Sequence, residues 1–96
     1  MMRNQFLERY RTDIKSIARK HGVGNIKLFG SMARDDSSDA SDVDFLIEVT
    51  GPTTPWFPGG LVAELEELLG KKVDVVELTA INPIIKEEII KEAVAL

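Results

Sequence analysis

Apolar side chains recur along this chain in two rhythms, and each rhythm predicts a different kind of element. Between Asn4 and Lys20, Phe6, Leu7, Tyr10, Ile14, Ile17 and Ala18 fall at steps of three and four, which predicts an amphipathic helix with Gly22 as its stop. Leu61, Val62, Leu65, Leu68 and Leu69 keep the same period, with Glu64, Glu66 and Glu67 on the other side and Gly70 as C-cap, and predict a second helix. A third is expected from Pro83, near its first turn, to Val94.

The rhythm changes to two where Val43, Phe45, Ile47 and Val49 alternate with Asp42, Asp44, Leu46 and Glu48. A strand with this pattern carries both aspartates on one face and only apolar side chains on the other. Ile26 to Phe29 and Val73 to Leu78 are short β-favouring runs that predict two further strands. Met32 to Arg34 can begin a short helix, Asp35 to Ser41 has turn character, and Gly51 to Gly60 is dense in residues that break regular structure. The order α-β-β-α-β-α predicts one α/β (α+β) domain over residues 1–96, a small mixed β-sheet with helices packed against it.

Composition narrows the partners. A net charge of -4 disfavours a broad basic surface for direct nucleic-acid binding. The chain has no cysteine, hence no disulfide or thiolate chemistry, and its polar start from Met1 to Tyr10 resembles neither a secretory signal nor a membrane span. A cytoplasmic location is the expectation.

The candidate chemistry begins where the first strand ends. Gly30 allows close backbone approach and positive φ, and Ser31 with the amides that follow can extend an anion site for phosphate. Asp42 and Asp44 point to one side, where two carboxylates repel unless a cation lies between them; hard oxygen donors favour Mg²⁺. Asp74 stands in an otherwise apolar strand, and if that strand pairs beside the first two aspartates, three carboxylates share a face, enough for two metal ions. A calcium loop over Asp35, Ser37 and Asp39 fails, because Ala40 and Leu46 stand where its glycine and glutamate belong. His21, at a helix end, has no catalytic role in this reading. Lys71 and Lys72 serve solvation or contact a nucleotide phosphate. Trp56 and Phe57 either form a contact surface or tuck over the core.

Taken together, Gly30-Ser31-Met32-Ala33-Arg34, Ser41-Asp42-Val43-Asp44 and Val73-Asp74-Val75-Val76 resemble the motifs of the polymerase-beta-like nucleotidyltransferases, and among these the small MntA-type minimal nucleotidyltransferases. The resemblance covers Ile26 to Glu77 by motif. It implies a polymerase-beta-like fold in which Gly30, Ser31 and Arg34 bind the nucleotide, and Asp42, Asp44 and Asp74 are catalytic and ligate Mg²⁺. One departure is Asp35, where a glycine is common after the arginine.

The resemblance further implies transfer of AMP from ATP to a hydroxyl, a tyrosine in the family's pattern, of a partner HEPN toxin, so that the chain acts as the antitoxin of a toxin–antitoxin pair. So small a domain has no second lobe to clamp a large acceptor, and a partner or oligomerisation is expected to supply one. Two rivals stand beside this reading: a non-catalytic antitoxin that neutralises by occlusion, and a glycosyltransferase whose Asp-x-Asp holds a sugar nucleotide. The short chain and the Gly-Ser element count against the second.

Overall fold

The computed structural model describes residues 8–30 and 42–96. In these, helix α1 (Arg11–Lys20) leads into strand β1 (Val23–Phe29), and strand β2 (Val43–Val49) precedes helix α2 (Gly59–Leu69). Strand β3 (Val73–Glu77), a single 3₁₀ turn (Leu78–Ala80), helix α3 (Pro83–Glu92) and strand β4 (Val94–Ala95) complete the chain. The four strands form one sheet in the order β3-β2-β1-β4. β2 and β3 run parallel, joined by the α2 crossover, while β1 is antiparallel to both β2 and β4. The mixed sheet with flanking helices expected from the pattern is present.

The period-two reading of β2 explains how the sheet is filled. Val43, Phe45 and Ile47 are buried on the face shared with Ile26 and Leu28 of β1 and Val73 of β3. Against that face α1 contributes Ile14 and Ala18, four residues apart, and α2 contributes Leu61, Leu65 and Leu69 at the same step. Each such fully buried Leu, Ile or Phe adds roughly 1.5–3 kcal/mol relative to exposure. Arg19 and Lys20 in the last turn of α1 and Asp13 in its first complement the helix dipole. Gly70 ends α2 in the left-handed conformation, and Glu66 Oε2 accepts from the Val73 amide at 2.9 Å, which fixes where β3 starts.

Several boundaries differ from the sequence pattern. Glu8 and Arg9 are also helical, separated from α1 by a turn at Tyr10, while the expected start at Asn4 lies outside the described residues, as do the expected short helix at Met32 to Arg34 and the turn from Asp35 to Ser41. Leu78 leaves the third strand for the 3₁₀ turn, and α3 stops at Glu92 so that Val94 and Ala95 can pair with Leu28 and Lys27. Leu46 is buried although it lies on the aspartate-bearing face, because that face is not wholly open. There Leu78, Ile90 and Ala93 line, with Lys27, Leu46 and Glu48, a cavity of about 100 Å³. α3 itself buries no residue, and Ile84 is 84% exposed.

Candidate active site

The second face of the sheet carries the polar chemistry, and strand register decides which groups meet. Phe29 pairs with Asp44 across the antiparallel β1–β2 ladder, and Asp44 pairs with Asp74 across the parallel β2–β3 ladder. One row of the sheet therefore reads Phe29, Asp44, Asp74, with neighbouring backbones about 4.8 Å apart. For Asp44 and Asp74 this meets the strand-pairing condition on which the sequence reading of three carboxylates rested. Asp42 stands one alternation before Asp44, just outside the strand and exposed. The Val43 amide donates to the Lys72 carbonyl at 2.9 Å, which holds the starts of β2 and β3 level.

Gly30 ends β1 beside this row with φ +78, a conformation that L side chains rarely adopt. Space adds a second requirement: a Cβ there would overlap a carboxylate oxygen of Asp44 and stand 3.4 Å from its Cβ. Glycine is required twice over, for its backbone and for the space the aspartate occupies. The turn at Gly30 and the Asp44 carboxylate thus lie against each other, a relation no spacing rule could supply.

Ser31 and Arg34 lie outside the described residues. Among those described, no three His, Cys, Asp or Glu side chains are gathered closely enough to enclose a metal ion. Asp44 and Asp74 nonetheless offer hard oxygen donors from adjacent strands on one face, the donor chemistry that Mg²⁺ and Mn²⁺ select. Lys72 falls on the same face as Asp74, two residues earlier and level with Asp42. The alternation that marked the aspartates also marks this lysine.

His21 proves structural in a way that its position at a helix end did not reveal. It is 5% exposed; its Nε2 lies 3.2 Å from Glu64 Oε2, and its Nδ1 shares a 2.6 Å hydrogen bond with the Thr54 hydroxyl. Because the carboxylate can only accept, a neutral ring accepts the threonine hydroxyl at Nδ1. Lys20 also pairs with Glu64, and this hydrogen bond, before that from His21, holds the Glu64 carboxyl below its ordinary value while partial desolvation opposes them. The network ties α1 to α2 and to the loop before α2, away from the aspartates. Trp56 and Phe57 part company: Phe57 packs against the core and Trp56 is 83% exposed.

Comparison with known proteins places this geometry. Residues 12–96 match the family described as polymerase beta, nucleotidyltransferase. A Methanocaldococcus jannaschii protein named provisionally as a protein adenylyltransferase is 43% identical over 75 residues, covering 78% of this chain and 81% of its own. The protein adenylyltransferase MntA of Thermococcus cleftensis is 31% identical over 80 residues, covering 83% of this chain and 81% of its own. Among solved structures, one described provisionally as a minimal nucleotidyltransferase superposes with a TM-score of 0.83 at 32% identity, covering 94% of this chain and 92% of the other. A toxin–antitoxin structure with AMP-PNP shares the fold, with a TM-score of 0.74 at 20% identity over 88% of this chain and 69% of the other.

Proposed function

Because the chain belongs to the polymerase beta nucleotidyltransferase family, we propose that its aspartate face transfers AMP from ATP to a hydroxyl of a partner toxin and so makes it an antitoxin. The observation that carries this reading is the register that sets Asp44 beside Asp74, with Gly30 shaped around Asp44 at the end of the same face. Relatives named as protein adenylyltransferases and a similarly folded toxin–antitoxin structure with AMP-PNP support the donor and the kind of partner. A tyrosine hydroxyl of a HEPN toxin is the acceptor we assign.

Asp42, Asp44 and Asp74 would hold Mg²⁺, two ions in the full site, which when bound supplies charge stabilisation for the attacking and leaving oxygens. The chain's own groups do the rest. Gly30, Ser31 and Arg34 bind and orient the triphosphate, so that the α-phosphorus faces the carboxylate row. The acceptor oxygen bonds to that phosphorus as the bond to the bridging oxygen breaks, and that electron pair leaves with pyrophosphate. Asp74, on the β3 flank, takes the hydroxyl proton.

The decisive experiment is incubation with ATP labelled at the α-phosphate, Mg²⁺ and a co-purified partner, followed by mass spectrometry. An adenylate adduct on the partner that disappears with Asp42→Ala plus Asp44→Ala is expected. Equal labelling by that variant would contradict the assignment. Neutralisation by occlusion is the second reading, favoured by exposed Trp56, Ile84 and Ile85, which suit a covered surface. It predicts that the aspartate variant still neutralises the toxin. The sugar-nucleotide reading has no support from the family match.

A further inference from the structure

We infer that Lys72 is a positioning residue for the α-phosphate, the phosphate being transferred; this rests on the nucleotidyl-transfer reading of the aspartate face. The placement follows from the ladder. Val43 pairs with Val73 and Asp44 with Asp74, and the Val43 amide donates to the Lys72 carbonyl, so carrying the register back one step sets Lys72 level with Asp42, both just before their strands. Lys72 immediately precedes β3, and the strand's alternation carried back one residue puts it on the face of Asp74 rather than that of buried Val73. Its backbone is held from both sides, since the next amide, of Val73, donates to Glu66 Oε2.

Charge gives this placement its function. Lys72 is exposed and, among the described residues, makes no ion pair, although Asp42 precedes the adjacent strand at the same level and Asp74 lies two residues further along its own. Two divalent ions offset three carboxylates and one further charge, which leaves most of a triphosphate's negative charge without a counterion. A lysine at the edge of the carboxylate row is placed to supply one, as a flexible point charge suited to phosphate oxygens.

The strand order selects which phosphate. Gly30 lies at the end of β1 and Lys72 at the start of β3, two strand spacings or about 10 Å apart, so the two flank the carboxylates from opposite sides. If the glycine turn receives the β- and γ-phosphates, Lys72 meets the end of the donor where the acceptor attacks.

The test measures affinities of the intact protein, in the presence of Mn²⁺, for three probes: AMP, α,β-methylene ATP and inorganic pyrophosphate. Lys72→Met should weaken AMP and the ATP analogue alike, by about tenfold or more, and leave pyrophosphate unchanged. Lys72→Arg should restore most of the loss, and both variants should unfold at the wild-type temperature, which a merely structural role would not allow. Unchanged AMP binding in Lys72→Met, or equal weakening of all three probes, would overturn the assignment. Wild-type protein that binds none of the probes would instead overturn the nucleotide reading, and Lys72 with it.

Discussion

The two faces of the sheet solve opposite problems with the same backbone. On one, Val43, Phe45 and Ile47 are covered by α1 and α2 and are essentially inaccessible. On the other, separated by one residue along β2, Asp44 lies beside Asp74 with an exposed lysine at the edge. The first face gains stability from each side chain it buries; the second sets acidic side chains on adjacent strands, where like charges repel unless a cation lies between them. The difference teaches that this sheet is stabilised from one side in order to hold an unfavourable arrangement on the other. Substitutions should therefore separate cleanly into those that change folding and those that change chemistry.

The sharpest break should come on the covered face. Phe45→Ala removes the largest side chain fully buried among the described residues and should cost about 3–5 kcal/mol in urea unfolding, taking activity with it only through loss of folded protein. One residue away the pattern should invert. If Asp74 is the general base proposed above, Asp74→Asn should lower adenylyl transfer by about 10²–10⁴-fold, with a urea midpoint equal to or above that of wild type. Gly30→Ala joins the two behaviours. Its positive φ costs about 1–2 kcal/mol for an alanine, and the new methyl displaces the Asp44 carboxylate, so stability and transfer should fall together.

Smaller effects sharpen the boundary between the faces. The Glu64 carboxyl is held below its ordinary value of 4.5 by Lys20 and then His21, so its folded form binds a proton less readily than the unfolded chain does. The stabilisation is complete above the unfolded value and is lost as pH falls through the folded one. Glu64→Gln should flatten the acid limb of the stability curve without moving the pH dependence of transfer. The smallest change in folding is expected for Trp56→Ser, within about 0.5 kcal/mol, because the side chain is exposed; partner affinity measured separately should fall.

Much of this contrast could be read in the chain, and what escaped did so for identifiable reasons. The alternation from Val43 to Val49 and the leucine spacing of α2 are local and strong; the strand appears where the pattern puts it, and the helix does too except that it begins at Gly59, inside the Gly51 to Gly60 stretch expected to be loop. Asp42 and Asp44 could be assigned to one side from spacing alone. That Asp74 sits level with Asp44 is a matter of register between strands separated by a helix, which no local pattern encodes. β4 has two residues and exists only because β1 offers it an edge, so Val94 looked like the end of a helix. His21 could be recognised as a helix-end residue, but its partners Thr54 and Glu64 come from 33 and 43 residues away. The contact between Gly30 and Asp44 is likewise tertiary, and it is the detail that turns a glycine turn and a carboxylate strand into one site.

The central claim is that the aspartate face bears an electrostatic cost which cation and nucleotide relieve. Thermal unfolding of wild type and of Asp44→Asn plus Asp74→Asn, titrated with Mn²⁺ in the presence of α,β-methylene ATP, tests it most directly. The account predicts that the double variant begins at or above the wild-type midpoint and stays there, while the wild-type midpoint climbs with added ligand. A double variant that starts lower and climbs in parallel with wild type would contradict it.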